Sequence, residues 1–304
     1  MAKLFQMVVL SGKGGVGKTN VAAALAYQAA NADQIPGAVV VDADVDAANM
    51  SLLLQPRLSQ KEDFFGGKVA KINPEICEGC GLCAEVCRYD AVLYQGTSYQ
   101  INESACEGCA ACYYACPQQA IAMLPHQDGQ WALSYTRFGP LLHAELFPGK
   151  DNSGKLVSLI RHRAKLTADQ HRFPLILIDG PPGIGCPVIS ASTGVNLGLI
   201  VTEPSVAAIH DLERIHQTLK HFQIPAVLCI NKVGMYQPAY LEILDYAQYH
   251  NIPVLGQIPF DNAIPQAMVN GQVVQEYAPQ TPAAIAMRAL WVGLLPYLSY
   301  KGTG

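Results

Sequence analysis

The stretch "SGKGGVGKTN", residues 11–20, stands between an apolar run, "KLFQMVVL" (3–10), and an alanine-rich run, "KTNVAAALAYQAAN" (18–31). The first run predicts a buried strand and the second a helix. A glycine-rich turn in that setting is an anion site. Gly12, Gly14, Gly15 and Gly17 allow backbone conformations that turn amides inward, and the helix N-terminus adds positive potential. Lys18 is placed to neutralise the β and γ phosphates of a nucleotide, and Thr19 to set its hydroxyl on Mg²⁺. The candidate nucleotide cradle is therefore Gly12, Lys13, Gly14, Gly15, Val16, Gly17, Lys18, Thr19 and Asn20. A lone glycine pattern would be weak, but the full run with Lys-Thr between strand and helix is specific.

Working outward, "GAVVVDAD", "PLILIDG", "LGLIVTEP", "AVLCINKVG" and "PVLGQIPFD" read as short apolar strands separated by helical lengths, among them "SGKLVSLIRHRAKL". That alternation predicts an α/β fold with a mostly parallel sheet, whose ligands bind beyond the carboxyl ends of the strands. From about residue 57 the text changes to Gly, Cys and short alternating segments, and it changes back near residue 150. The expected organisation is one discontinuous domain, 1–56 plus 150–304, interrupted by an insertion at 57–149.

The insertion contains "CEGCGLCAEVC", residues 77–87, and repeats its spacing 29 positions later: Cys77, Cys80, Cys83 and Cys87 recur as Cys106, Cys109, Cys112 and Cys116. In C-x₂-C-x₂-C-x₃-C runs, the first three cysteines wrap one cluster and the fourth serves the other. The spacing thus assigns Cys77, Cys80, Cys83 and Cys116 to one [4Fe–4S] cluster and Cys106, Cys109, Cys112 and Cys87 to a second. Two zinc ions are the competing reading, since paired C-x₂-C spacings alone would permit them. The third and fourth cysteines of each run favour iron–sulfur. Over roughly residues 70–123 the sequence resembles bacterial two-cluster ferredoxins, with Pro117 after the last cysteine but Arg88, not proline, after Cys87.

Lys13 departs from the ordinary phosphate loop. With it, "KGGVGKT" resembles the deviant loop of the MinD, ParA and nitrogenase iron-protein class of P-loop ATPases. That resemblance implies an ATP-dependent homodimer in which Lys13 reaches the nucleotide of the partner subunit. It also implies that "VVVDADVDAAN" is a first switch, with Asp42 in the magnesium shell and Asp44 orienting the attacking water. "LILIDGPPGIG" would be the second switch, with Asp179 holding a magnesium-bound water and Gly180 and Gly183 letting the loop move. Asn231 of "CINKVG" and Pro259 of "QIPFD" would line the adenine. Lys13, Lys18, Asp44 and Asp179 are thus the expected catalytic residues, with Asp46 left between a capping and a catalytic role.

Taken whole, the chain resembles a MinD-type ATPase with an inserted ferredoxin domain. The resemblance implies ATP, Mg²⁺ and two [4Fe–4S] clusters as cofactors, and ATP hydrolysis coupled to low-potential electron transfer toward a redox partner that the sequence does not identify. Two alternatives stand beside it: an iron–sulfur carrier, and a MinD-like regulatory switch with redox-sensing clusters. Cys186 lies seven residues after Asp179, where the nitrogenase iron protein has a cluster ligand. No second cysteine accompanies it, so a buried or redox-labile thiol is expected there, and a core residue at Cys229.

Composition narrows the classes further. Twenty Lys plus Arg against 24 Asp plus Glu give a net charge of −4, which offers no basic field to nucleic acid. The opening "MAKLFQMVVLSGKGG" lacks a signal-peptide pattern, and ten cysteines without one point to a reducing, cytoplasmic setting. The apolar run "AAIAMRALWVGLLPYL" is interrupted by Arg288 and Pro296 and lacks a cationic face. It is expected to close the core as a helix, leaving no stable membrane anchor.

Overall fold

The computed structural model describes residues 4–33, 35–150 and 152–298; Lys3, Asp151 and residues 299–304, which fall within the segments and boundaries expected above, lie outside them. The chain runs β1 (Phe5–Ser11), α1 (Lys18–Asn31), β2 (Val39–Asp42), α2 (Met50–Leu54), β3 (Arg57–Ile72), α3 (Leu82–Glu85), β4 (Val92–Tyr94), β5 (Tyr99–Ile101), α4 (Ala111–Ala115), β6 (Ile121–Thr136) and β7 (Gly139–Leu146). It continues through α5 (Ser153–His171), β8 (Leu175–Pro182), α6 (Cys186–Ser192), β9 (Leu197–Thr202), α7 (Ala208–His221), β10 (Ala226–Val233), α8 (Gln237–Tyr249), β11 (Val254–Pro259), α9 (Ala263–Val269), α10 (Val274–Tyr277) and α11 (Pro282–Leu298).

Two compact units result. The first takes its described residues from Met1–Lys61, Trp131–Glu145 and Ser153–Gly304, the second from Glu62–Gln130 and Leu146–Asn152. This differs from an insertion spanning 57–149. Residues 131–145 belong to the first unit because β7 pairs in parallel with β2, Val40 opposite Leu141 and Asp42 opposite His143. Leu141 and Leu142 are fully buried there. Alternation in "WALSYTRFGPLLHAEL" signals a half-buried strand pair, but not the sheet that pair joins.

In the first unit strands β11-β10-β9-β1-β8-β2-β7 lie in that order and are mutually parallel, while β6 and β3 each contribute residues to both units. The central strands are continuous apolar runs, as strands covered on both faces must be. Met7 to Leu10 and Leu175 to Ile178 are at most 2% exposed. Helix α1 begins at Gly17, whose φ of 92° ends the loop sharply, and its alanines pack flat on the sheet. Helix α7 buries Ala208, Leu212, Ile215 and Leu219, one face at helical spacing. Helix α11 closes the core through Ala283, Met287, Leu290, Trp291 and Leu294, as its sequence implied. Among the described residues no helix is long and apolar enough to cross a membrane.

The second unit repeats a short pattern. Helices α3 and α4 each follow a residue in the left-handed conformation, Gly81 (φ 84°) and Ala110 (φ 64°), which occupy equivalent places in the two cysteine runs. A small apolar core of Val69, Ala70, Ile72, Ile101 and Ile121 surrounds Cys83 and Cys112.

Candidate functional site

The strand order puts β8 between β1 and β2, so the loop after β1 lies beside Asp42 at the end of β2 and Asp179 within β8. Asp42 and Asp179 are direct register partners. Lys18, the first residue of α1, reaches across to Asp179: its Nζ lies 2.9 Å from Oδ1, with the two side chains 7% and 0% exposed. The other oxygen, Oδ2, is buried and has no hydrogen-bond partner. Asp42 accepts from the Met50 amide at 3.0 Å and the Asp44 amide at 3.3 Å, which pins both ends of the loop between them.

Electrostatics at this edge are strained. Burial, then repulsion from Asp179, lifts the Asp42 carboxyl to about 7 against those two amides and Lys18. Burial also raises Asp44, helped by Asp179 and Asp46 and opposed by Lys18. For Lys18 burial is the largest influence and would lower its pKa. Asp179, Asp44 and Asp42 together outweigh it, and the ammonium is held. Three carboxylates facing one lysine, with an unpartnered buried oxygen, suit a divalent cation, and Thr19 is half-buried in the first turn of α1, next to Lys18.

The cradle glycines serve different ends. A Cβ on Gly12 would meet Asp211 Cβ at 2.4 Å, so this glycine lets α7 approach the loop. A Cβ on Gly17 would lie 2.3 Å from Asn231 Nδ2. Gly14 and Gly15 are exposed with open space around them, while Val16 is buried. Asn20 is half-buried in the first turn of α1. Asn231 donates to the Val16 carbonyl at 2.7 Å and leaves its own Oδ1 buried without a partner, an acceptor suited to an exocyclic amine. Pro259 ends β11 opposite Val233. Gly183 has a φ of 87° in open space and donates to the Ser11 carbonyl at 3.0 Å. Gly180 lies within β8 and not in the loop after it, and Leu10 and Val9 leave no room there for a Cβ. Asp46 is exposed, and α2 is preceded by Asn49, so no capping role falls to it.

In the second unit each cysteine run contributes to two cavities. Cys77, Cys80, Cys83 and Cys116 line one small cavity, with Ile72 and Tyr99. Cys87, Cys106, Cys109 and Cys112 line the other, equally small, with Val92 and Ile101. Burial, and then repulsion from neighbouring cysteines, raises the Cys83 and Cys112 thiols. No three of the His, Cys, Asp and Glu side chains among the described residues close to the spacing of a single metal ion. Gly108, at φ 64°, would place a Cβ 2.1 Å from the Lys68 carbonyl, so only glycine fits that turn. Cys186 is exposed at the start of α6, which removes the buried alternative and leaves the redox-labile one. Cys229 lies in the core, where burial pushes its thiol up to about 12 and leaves it inert.

Residues 7–274 match the family described as "CobQ/CobB/MinD/ParA nucleotide binding domain". The chain belongs to this family. A protein of Methanocaldococcus jannaschii, named there only as uncharacterized, is 33% identical over 267 residues, covering 88% of each chain. The chloroplastic septum site-determining protein minD homolog of Arabidopsis thaliana is 25% identical over 294 residues, 94% of this chain and 73% of its own. A solved structure of the septum site-determining protein MinD from Pyrococcus horikoshii, complexed with Mg-ADP, shares the fold with a TM-score of 0.55. It is 17% identical, covering 95% of this chain and 94% of that one.

In this MinD/ParA chain the phosphate loop is also tied to groups that no local motif announces. Lys13 Nζ lies 2.9 Å from Glu203 Oε1 and donates to Ser205 Oγ at 3.0 Å. Lys232 Nζ donates to the other oxygen of Glu203 at 2.6 Å and to the Gly15 carbonyl at 2.7 Å. Lys232 holds a left-handed φ of 53° to make that reach. Glu203 and Ser205 follow β9, and Lys232 lies in β10. The signal available in the sequence was only that strands flanking β1 end beside its loop.

Proposed function

We propose that the chain is an ATP-hydrolysing switch that alternates between single subunits and a nucleotide-clamped pair, and that its second unit carries two [4Fe–4S] clusters whose redox state bears on that switch. The observation behind the first half is the buried Lys18–Asp179–Asp42 arrangement with its unpartnered carboxylate oxygen, at the end of a family-defining loop. Thr19, Asp42 and Asp179 would hold Mg²⁺, which supplies charge neutralisation across the β and γ phosphates. Lys18 would exchange Asp179 for phosphate oxygens, and Asp44 would orient the attacking water. Asn231 would accept from the adenine amine through Oδ1, with Pro259 beside the base. Lys13 would enter the partner subunit's site, where exclusion of water makes a second cation most effective.

Eight thiols in two groups of four fit two clusters. They are drawn crosswise from both runs, four lining each cavity. Such clusters supply one-electron chemistry at low potential. Electron delivery to a partner protein is the second reading. It is favoured by Cys80 and Cys109, which are exposed and would bring each centre to the surface.

The test uses the full chain purified without oxygen. About eight irons per chain are expected. A non-hydrolysable ATP analogue should convert single subunits to pairs, and Lys13→Ala should abolish that conversion. Zinc in place of iron would end the redox half, and pairing retained by Lys13→Ala would end the clamp.

A further inference from the structure

We propose that Glu203 is a latch on Lys13: it holds the ammonium within its own subunit and thereby sets how much ATP is needed before two subunits pair. The proposal rests on the reading of Lys13 as the group that crosses to the partner's nucleotide.

The geometry is specific. The Glu203 side chain is 13% exposed and spends one oxygen on each of two lysines, Lys13 at 2.9 Å and Lys232 at 2.6 Å. Burial would raise its pKa, but hydrogen bonds from Lys232 and Lys13 and their charges outweigh burial and hold it ionised. Ser205, two residues on, accepts a second bond from Lys13 at 3.0 Å. Lys13 is thus doubly held by the segment that follows β9, although it is only two residues from the amides that face phosphate. Lys232 ties the same carboxylate to the Gly15 carbonyl, so Glu203 is fixed to the loop rather than swinging with Lys13. An ammonium with two partners in its own subunit has to give them up before it can enter another subunit's site. Pairing therefore competes with the Glu203 contact, and a ligand shifts this equilibrium only by its differential affinity for the two positions of Lys13. In the pairing reaction Glu203 is a positioning residue, acting through Lys13 and not on the nucleotide.

Three variants of the full chain test this: Glu203→Gln, Ser205→Ala and Lys13→Ala. For each, the concentration of non-hydrolysable ATP analogue giving half-maximal pairing is measured by light scattering, and ADP affinity is measured separately. Glu203→Gln should lower the half-maximal concentration by about fivefold, and Ser205→Ala by a smaller factor, with both shifts exceeding any change in ADP affinity. Equal shifts in pairing and in ADP affinity would mean a general field effect on phosphate and would overturn the latch. So would an unchanged or raised pairing concentration. Should Glu203→Gln fail to fold, Ser205→Ala decides, because it keeps the carboxylate and loosens only Lys13. Lys13→Ala separates the two readings. If it still pairs, the underlying clamp fails; if it does not pair while Glu203→Gln is silent, the latch alone fails.

Discussion

At the scale of single residues, Lys18 answers both a folding and a chemical demand. It is the buried cation against which Asp179 and Asp42 are tolerated, and the cation expected to meet phosphate. Removing one partner of a buried pair is costly because the other charge is left uncompensated. Lys18→Met is expected to lower unfolding free energy by about 3 kcal/mol at neutral pH and to abolish ATP turnover. Chemical denaturation and a phosphate-release assay check the two effects, and an unchanged denaturation midpoint would contradict the role assigned to the pair. The residues named from the loop and the strand-end aspartates were legible because their chemistry is local: a lysine after glycines, or an aspartate closing an apolar run. Glu203 and Lys232 were not. Glutamate after "VT" and lysine after Asn231 carry no signal until β9 and β10 are laid beside β1.

Elements carry the next layer, and helix α6 shows it. It follows the loop after β8 directly, and its far end is gripped by Arg161 of α5. Arg161 donates to the Ser190 carbonyl at 2.6 Å, the Thr193 carbonyl at 2.9 Å and Gln6 Oε1 at 3.2 Å. Arg161 is 7% exposed, and burial lowers its pKa to about 10, so it remains a cation at neutral pH. Arg161→Met keeps the volume but leaves those carbonyls without a donor. A loss of about 2 kcal/mol in guanidinium denaturation is expected, and a loss near zero would show that water replaces the guanidinium. The strands and helices of the first unit were readable as apolar runs separated by helical lengths, and α1 spans the residues its composition indicated. The limits of the second unit were not readable. Whether β7 joins β2 is a pairing between segments about a hundred residues apart, and strand alternation alone does not fix it.

For the whole molecule, the family supplies a nucleotide-binding domain, and the eight cysteines of the second unit are proposed to carry a second, redox chemistry. Either could exist alone, so the central claim is that they are coupled. Coupling between two sites is a free energy, and it shows only when the state of one changes the behaviour of the other. The direct measurement is ATP turnover by the full chain, purified without oxygen, at saturating Mg-ATP, with the proposed iron centres first fully reduced and then oxidised. Rates differing by about fivefold or more between the two states are expected. Identical rates, with about eight irons per chain verified in both samples, would contradict the coupling.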